Sequence, residues 1–207
     1  MGYTFENWRH RLSERSDLSS SVTHLTRSTE SRNILEQVFK ILDDQKLIGS
    51  TTDSGFIVGK TSAVCFQDAP LSSIGQNVWF EQKYRKDNPS AKVRYYGAGF
   101  IFNKTIAYRK GARPVLYENT KIAKSLLPDS EWWRIVNFNL ASDENIIDWT
   151  HEREWRCPHE FTFNLNEVTL LVTNPTMYKM FINQCEERGL SHHKDIKGIV
   201  VLNELVF

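Results

Sequence analysis

Two glutamates separated by one residue are the side chains whose types and spacing most suggest chemistry. Glu152 and Glu154 lie within residues 148–157, between aromatic and cationic side chains. Side chains alternate along a β-strand, so a strand over residues 149–157 would place both carboxylates on one face. Neighbouring carboxylates repel each other, so that face is either solvated or catalytic. A catalytic pair could serve in acid–base work or stabilise a positively charged, sugar-like transition state.

Two other reactions fit the sequence less well. Hydrolysis of a sugar link needs two carboxylates on opposite sides of the bond that breaks, and neighbours on one strand face do not supply this easily. A nuclease is disfavoured because no D/E-x-K metal cluster stands out in the sequence.

A second candidate is the run His24, Leu25, Thr26 and Arg27, at the end of a predicted strand over residues 22–27. An imidazole, a hydroxyl and a guanidinium close together suit the hydroxyls and phosphates of a nucleotide. The alternative is a partly exposed loop that contains a structural histidine. The residues alone leave both interpretations open.

A third candidate surrounds a predicted strand over residues 62–67, with Gly59 before it and Ser73 after it. Small and hydroxyl-bearing residues there would let a flat ring approach the backbone. The alternative is a buried strand and its turn, and no phosphate-binding G-x-x-x-x-G-K-[ST] loop is present. Cys65 could be a nucleophile with a histidine from elsewhere, but a cysteine in an apolar strand is more often inert core.

Two further patterns favour structural roles. His192 and His193 could bind a metal, but without a neighbouring acidic motif they indicate a solvated turn. Scattered aromatic side chains could stack on bases, yet in strands such residues more often belong to the core or the sheet surface. These aromatics are Tyr95, Tyr96, Trp132, Trp133 and Trp149.

The composition predicts one catalytic domain over residues 1–207, with residues 1–21 as an N-terminal helical arm. Of the 207 residues, 40% are hydrophobic and 12% aromatic, which is enough for a core. Lys and Arg number 26 against 25 Asp and Glu, so the net charge gives no strong case for nucleic acid. Three scattered cysteines, no zinc spacing, no signal segment and no long apolar run predict a cytoplasmic protein without metal or membrane.

The elements that must position these residues are helices early in the chain and strands late. Helices are predicted over residues 4–12, 33–42, 71–80, 122–127 and 177–188. Strands are predicted over residues 22–27, 62–67, 93–102, 114–117, 135–140, 149–157, 168–173 and 199–202, with a charged loop over 81–92. This order favours an α+β fold with a largely antiparallel sheet and flanking helices.

The order of the motifs resembles the ADP-ribosyltransferase fold, in the branch shared by poly-ADP-ribose polymerases and bacterial toxins that modify nucleic acid. In that family a strand with H-G-[ST]-R is followed by an N-x-x-x-I-L helix, a G-K-G-[IV]-Y-F-x-D strand, a serine-bearing helix and a late catalytic glutamate. The matching residues are His24–Arg27 as H-L-T-R, Asn33, Ile34 and Leu35, Gly59 and Lys60, C-F-Q-D at 65–68, and Ser72 and Ser73.

The chain is also similar to bacterial abortive-infection proteins. The shared pieces are a C-F-x-[DE]-x-P turn at residues 65–70, an R-x-Y-Y-G strand at 94–97, P-V-x-Y at 114–117 and E-x-E-W-R at 152–156. Here the second piece reads R-Y-Y-G, without the intervening residue. The likeness to both groups covers residues 22–157.

This resemblance implies a split, mostly antiparallel sheet that binds NAD as substrate. His24 would bond the nicotinamide-side ribose, while the Leu25 backbone and the Ser73 hydroxyl would hold the carboxamide. Arg27, after Thr26, would lie near the adenosine or pyrophosphate. Glu154 would hold a ribose hydroxyl and stabilise the oxocarbenium-like state, and Glu152 would orient the acceptor nucleophile.

The chain departs from the family pattern at two positions. Leu25 replaces the glycine after the histidine, which crowds the backbone site. Cys65 stands where the family has a tyrosine that packs on nicotinamide, and Phe66, Trp79 or Tyr96 could supply the ring instead. On sequence alone, Glu152 would serve almost as well as Glu154 as the catalytic residue.

Two functions from different classes follow from the resemblance. The first is an NAD-consuming ADP-ribosyltransferase toxin of anti-phage defence, acting on RNA or DNA rather than protein, with an antitoxin protein as a further expected partner. Cationic side chains at residues 9, 11, 15, 85 and 86 would steer such an acceptor. The second is an inactive binding protein of the same fold, an antitoxin or sensor, which the two departures would suit.

Overall fold

A seven-stranded sheet forms the centre of the computed structural model, which describes residues 2–53, 56–90 and 95–205. The strands of the protein are β1 (Ser21–Leu25), β2 (Lys46–Ile48), β3 (Ala63–Gln67), β4 (Gly99–Asn103), β5 (Arg113–Pro114), β6 (Leu116–Glu118), β7 (Ile135–Asn137), β8 (Glu154–Pro158), β9 (Glu160–Thr162), β10 (Val168–Val172) and β11 (Gly198–Val201). The helices are α1 (Phe5–Ser13), α2 (Ile34–Asp44), α3 (Leu71–Asp87), α4 (Lys104–Arg109), α5 (Thr120–Leu126), α6 (Pro175–Glu187) and α7 (His192–Asp195). Short 3₁₀ turns cover Asp129–Arg134, Thr150–Glu152, Leu165–Glu167 and Leu202–Leu205.

The main sheet has the strand order β11-β10-β4-β1-β3-β8-β5. All neighbouring strands in it are antiparallel except β10 and β11, which are parallel. Two small sheets pair β2 with β9 and β6 with β7. The prediction of a mixed fold with a mostly antiparallel sheet and flanking helices is therefore confirmed, and β1 lies in the middle of the sheet.

One face of the sheet packs on α2 and α6 through the largest hydrophobic cluster. The α2 face contributes Leu35, Val38 and Phe39, and α6 contributes Phe181. Aromatic rings fill the space between helices and sheet, with Phe102 and Phe161 centroids 4.8 Å apart. Because side chains alternate, Val22 of β1 joins this face while Thr23 points to the other.

The opposite face carries α3 and a smaller cluster. Val78 of α3 packs with Tyr95, Ile101, Leu171 and Leu202. The α3 helix runs directly from the end of β3, so its first turn lies beside the strand that bears Cys65 and Gln67. The second face therefore combines a modest apolar cluster with the polar residues described below.

The N-terminal helix α1 is held loosely. Thr4 caps it by accepting the Asn7 N–H at 3.2 Å, yet none of its residues is buried. The predicted helical arm is therefore a surface helix, and the chain enters the sheet at Ser21.

The predicted helices over residues 4–12, 33–42, 122–127 and 177–188 are confirmed within two residues at each end. The predicted loop over residues 81–92 is wrong in its first half, because α3 continues to Asp87 before Pro89. Most of residues 81–87 have polar side chains, which are compatible with a solvent-exposed helix. The loop was predicted from the charge of this segment, and charge alone does not exclude a helix. The predicted strands over 62–67, 168–173 and 199–202 are confirmed within one residue.

Other predicted strands are shorter or broken. The strand predicted over 93–102 is Gly99–Asn103, and residues 91–94 lie outside the described residues. The strand over 22–27 ends at Leu25, and that over 135–140 ends at Asn137. The strand over 114–117 divides into β5 and β6, which belong to different sheets. No helix among the described residues is long and apolar enough to cross a membrane.

Candidate functional site

The hydrogen-bonded ladder between the central strands β1 and β3 is short, and we call the place where it ends, at His24, Leu25 and Cys65, the opening between these strands. These strands share a single register pair, Thr23 with Gln67, whereas β1 and β4 pair over five residues from Ser21 to Leu25. Continued antiparallel pairing would place Leu25 opposite Cys65, and no such pair forms. The Cys65 carbonyl instead accepts a hydrogen bond from Nδ1 of His24 at 2.9 Å. An imidazole thus occupies the position where the ladder between the two strands ends.

The hydrogen bond to Cys65 determines how the His24 ring is protonated. A carbonyl only accepts, so Nδ1 carries the hydrogen. Burial lowers the pKa of His24, although the Cys65 carbonyl partly opposes this effect. The ring is therefore neutral near pH 7, and its Nε2 lone pair remains an acceptor.

Glu154 and Arg156 form a buried ion pair at the start of β8. Their side chains are only 8% and 3% exposed, and the carboxylate accepts from Nε at 2.7 Å and from Nη2 at 3.3 Å. Nη1 of Arg156 also donates to the backbone carbonyls of Trp133 at 2.9 Å and Ile135 at 3.0 Å. Burial opposes the charge of Arg156, but Glu154 and the neighbouring Cys65 together outweigh this effect, so the pKa of the guanidinium is raised. The Arg156 guanidinium is therefore held by the Glu154 carboxylate on one side and by two backbone carbonyls on the other.

A row of polar side chains crosses three strands beside this pair. Thr23, Gln67 and Glu154 are direct register neighbours and share a face, and each is at least nine-tenths buried. Within the part of the chain that the structure describes, Oε1 of Gln67 is buried without a hydrogen-bond partner. A buried carbonyl oxygen without a donor is costly, so this row has an unmet need for an N–H or O–H group.

Tyr117 fixes the backbone at the start of β8. Its hydroxyl accepts the Glu154 N–H at 2.6 Å, and burial raises its pKa to about 12. The phenol is therefore protonated at neutral pH and serves as a neutral support for Glu154.

Glu152 is not on the strand that the sequence predicted for it. Residues Thr150–Glu152 form a 3₁₀ turn, Arg153 has φ of 47°, and the strand begins only at Glu154. The left-handed residue interrupts the alternation, so the prediction that both carboxylates share one strand face is wrong. Asp148 stabilises the turn by accepting from the Thr150 N–H at 2.8 Å and from its hydroxyl at 2.6 Å.

Glu152 instead meets a different part of the chain. Oε1 of its half-buried carboxylate accepts a hydrogen bond from the Tyr95 hydroxyl. The next residue, Arg153, donates to the Asp17 carbonyl of the N-terminal segment. The turn therefore connects the arm, the α3 face and β8.

The predicted cofactor-binding residues are only partly brought together. Cys65 lies on the same face as Glu154, whereas His24 and Phe66 project toward the α2 face, with ring centroids 6.0 Å apart. The opening between β1 and β3 lies between these two groups. His24 reaches it through the Cys65 carbonyl rather than through a shared strand face.

The remaining predicted cofactor-binding residues lie in separate environments. Leu25 packs at the edge of the α3 cluster, and Thr26 is buried with its N–H on the Ala98 carbonyl at 2.9 Å. Arg27 is exposed, and Ser73 lies in the first turn of α3. The Tyr96 hydroxyl contacts Ser28 Oγ at 3.4 Å and neither residue is in the polar row.

The Cys65 thiol is poorly suited to be a nucleophile. Burial raises its pKa well above the ordinary value, and the neighbouring Glu154 carboxylate raises it further against the effect of Arg156. Reactive cysteines need the thiolate, which this environment disfavours. The structure thus supports the interpretation of Cys65 as an inert thiol.

Asp68 is a further charged residue at the end of β3. Its carboxylate accepts from Lys104 Nζ at 2.7 Å and from the Trp155 indole at 3.2 Å. Burial raises its pKa, while Lys104 and Trp155 oppose this shift. These contacts connect the end of β3 to α4 and β8.

Sequence reasoning missed Gln67, Arg156, Tyr95 and Tyr117 as site residues. Arg156 had a usable signal, since it lies two residues after Glu154 and alternation places both on one face. Tyr117 and Tyr95 are 37 and 57 residues from their partners, and no local pattern connects them.

The prediction that His192 and His193 belong to a solvated turn is wrong for His192, which is buried in the short helix α7. His192 lies 2.7 Å from Oδ1 of Asp43 through Nε2, joining α7 to α2. Among the described residues, no group of three or more His, Cys, Asp or Glu is placed to hold a metal ion.

Comparison with protein-family models, curated proteins and solved structures gives no match for this chain.

Proposed function

We propose that this chain is an NAD-dependent ADP-ribosyltransferase, an effector of bacterial anti-phage defence that transfers ADP-ribose to nucleic acid and releases nicotinamide. The observation that carries the proposal is the opening between β1 and β3, with the His24 imidazole at its edge. Glu154 is the first residue of β8, the strand next to β3, and Glu152 lies in the 3₁₀ turn just before it. In this proposal the sheet is the split sheet of the ADP-ribosyltransferase fold.

The reaction would use these groups as follows. The bond between nicotinamide and the ribose breaks, nicotinamide leaves with the bonding electrons, and the ribose carbon becomes cationic. Carboxylates fixed in a dry site stabilise that charge. A nucleophilic oxygen or nitrogen of the acceptor then bonds to the same carbon, and its proton passes to Glu152, the more accessible carboxylate.

The neutral residues of the site suit the two ends of the nicotinamide riboside. His24 Nε2 is an acceptor for a ribose hydroxyl, because Nδ1 already donates to Cys65. The buried Oε1 of Gln67 would accept an N–H of the carboxamide. The Ser73 hydroxyl and the Leu25 backbone would supply the other carboxamide contacts that the resemblance implies. Arg27, exposed past the end of β1, is free to approach the pyrophosphate.

The closed ion pair favours a second candidate, a catalytically inactive protein of the same fold that acts as an antitoxin or sensor. Both oxygens of Glu154 are held by Arg156, which neutralises the charge that the transition state would need. In the enzymatic proposal, NAD binding must draw Glu154 toward the ribose while Arg156 keeps its carbonyl contacts. In the binding-protein proposal, Glu154 is structural and Glu152 has no chemical role.

The test is incubation of NAD labelled on the adenine-side phosphate with the protein and a cell extract. Wild type is expected to transfer label to RNA or DNA, and Glu154→Gln to lose this transfer. Glu187→Gln serves as control, because Glu187 is exposed at the end of α6, away from the polar row. Absence of label from every macromolecule, together with NAD binding by isothermal titration, would favour the inactive binding protein. Absence of both would refute the proposal.

A further inference from the structure

The C-terminal half of α3 exposes three aromatic rings on two successive turns. Trp79, Phe80 and Tyr84 are 45%, 66% and 48% exposed. Single exposed apolar residues are ordinary, but a contiguous aromatic patch on one helix marks a binding surface. The Phe80 and Tyr84 rings stand nearly parallel, at 16°, with centroids 6.3 Å apart.

The position of these rings on α3 connects them to the candidate site. Residues 73, 77, 80 and 84 recur at helical spacing, so Phe80 and Tyr84 follow the same stripe as Ser73. Ser73 and Tyr84 are eleven residues apart, which is about 16 Å along a helix axis. On the buried side, Val78 packs with Tyr95, whose hydroxyl binds Glu152.

The charges beside the rings are mainly positive on the exposed side. Lys83 and Lys86 are exposed on the part of α3 that carries Trp79 and Phe80, and Asp87 is the exposed acidic residue there. Glu81 and Arg85 are half-buried. Helical spacing places Lys83 three residues after Phe80 and four after Trp79. Rings interleaved with ammonium groups are complementary to bases and phosphates together.

We propose that the exposed face of α3, formed by Trp79, Phe80, Lys83, Tyr84 and Lys86, binds single-stranded nucleic acid and leads it to Glu152. Bases stack on the rings, and the lysines neutralise backbone phosphates. A duplex keeps its base faces stacked internally, so it gains only the phosphate contacts. A second protein chain would find lysines at the centre of its apolar contact, which disfavours that occupant.

Binding of single-stranded nucleic acid by α3 does not depend on the proposed enzymatic activity. Only the delivery of this nucleic acid as the acceptor to Glu152 rests on the proposed function. Loss of the α3 rings should therefore abolish transfer to nucleic acid while NAD-dependent nicotinamide release continues. If the enzymatic proposal fails, nucleic-acid binding by α3 still stands or falls by its own measurement.

The experiment is fluorescence anisotropy with a labelled single-stranded RNA of about 20 nucleotides, longer than the site of one small binding module. The double variant Phe80→Ala/Tyr84→Ala is expected to bind about tenfold or more weakly than wild type, from the loss of two stacking rings. Lys83→Gln/Lys86→Gln is expected to weaken binding and to reduce its salt dependence. A duplex of the same length is expected to bind less tightly than the single strand.

The matched control is Ile122→Ala/Leu126→Ala, which removes two apolar side chains of similar exposure, 51% and 66%, from α5. This variant is expected to bind RNA like wild type. Equal affinity of the α3 variant and wild type, or no measurable binding by wild type at low salt, would overturn the proposal. So would sedimentation showing that the rings hold two copies of the chain together.

Discussion

At the scale of residues, the Glu154–Arg156 pair links structure to the proposed chemistry. Its two members are almost excluded from solvent, and Arg156 also holds the carbonyls of Trp133 and Ile135. Removing one partner of a buried ion pair leaves an uncompensated charge, which costs more than the pair contributes. The pair therefore contains the proposed catalytic carboxylate and is also a point at which single substitutions should destabilise the fold.

Arg156→Met is expected to destabilise the protein by about 3 kcal/mol or more, because the Glu154 carboxylate stays buried without its partner. Adding Glu154→Gln to that variant should recover part of the loss. Urea unfolding followed by tryptophan fluorescence measures both. Lys40→Met is the control, since the Lys40–Asp44 pair is a surface pair at 2.6 Å whose loss should cost less than about 1 kcal/mol. Equal losses for the two single variants would contradict the account.

His24 is expected to make stability fall as the solution becomes acidic. Burial lowers its pKa in the folded state, so the unfolded chain binds the proton first as pH falls below about 6.5. The stability associated with a neutral His24 is present above that pH and is lost below it. Between about pH 7.5 and about pH 5.5, the urea midpoint should drop more for wild type than for His24→Gln. A parallel drop in both proteins would argue against a depressed pKa.

Only part of the site could be predicted from the sequence. Glu152, Glu154 and His24 stood out because carboxylates and an imidazole in or beside apolar strands suggest chemistry. Gln67 did not, since its importance comes from a buried oxygen without a partner, which depends on the packing of three strands. The relation of Glu152 to Glu154 was mispredicted because nothing in the residue types required φ to be positive at Arg153.

At the scale of elements, the helices differ in how strongly the fold depends on them. Asn33 caps α2 by accepting from Leu35 and Glu36 N–H groups, while Glu36 accepts the Asn33 N–H in return. That helix buries five apolar side chains. Helix α1 has a side-chain cap as well but no buried residue, so its folding is coupled weakly to the rest.

Asn33→Ala is therefore expected to cost about 1 kcal/mol of global stability, as for other lost caps. Thr4→Ala removes the equivalent cap of α1 and is expected to leave the global urea midpoint unchanged, although hydrogen exchange in α1 should accelerate. These two variants form a matched pair. A loss of global stability in Thr4→Ala as large as that in Asn33→Ala would mean that α1 is coupled to the core after all.

Element prediction succeeded where local periodicity and burial coincide. The α2 helix has an apolar stripe and its own caps, so its position follows from adjacent residues. The α3 helix was predicted seven residues too short because its second half exposes aromatics and lysines and has no apolar stripe. The short strands β2 and β9 pair with each other across more than one hundred residues, and neither carries a strong local signal.

At the scale of the whole molecule, the two faces of the sheet carry different kinds of side chain. The α2 and α6 face holds the aromatic core, while the α3 face holds the polar row and its carboxylates. The opening between β1 and β3 joins these faces at His24. A rigid face that supports a polar face is an arrangement that can keep charged groups fixed during a reaction.

The reactivity of the three cysteines tests whether the two faces of the sheet are packed as described. Burial raises the pKa of Cys65 and of Cys185, and raises that of Cys157 to about 11, so all three thiols are protonated near pH 7. Iodoacetamide should alkylate the cysteines of the native protein slowly. After unfolding in urea it should alkylate all three cysteines, as measured by intact mass. Fast alkylation of Cys65 in the native protein would instead indicate an activated thiolate.

The central claim is tested most directly by nicotinamide release from NAD by the purified protein, followed by chromatography with and without single-stranded RNA. Wild type and the control Glu187→Gln are expected to release nicotinamide, faster when RNA is present. Glu154→Gln is expected to lose release, whereas Glu152→Gln is expected to lose mainly the stimulation by RNA. If wild type releases no nicotinamide under either condition, or if Glu154→Gln releases it as fast as wild type, the assignment of ADP-ribosyl transfer to this site is wrong.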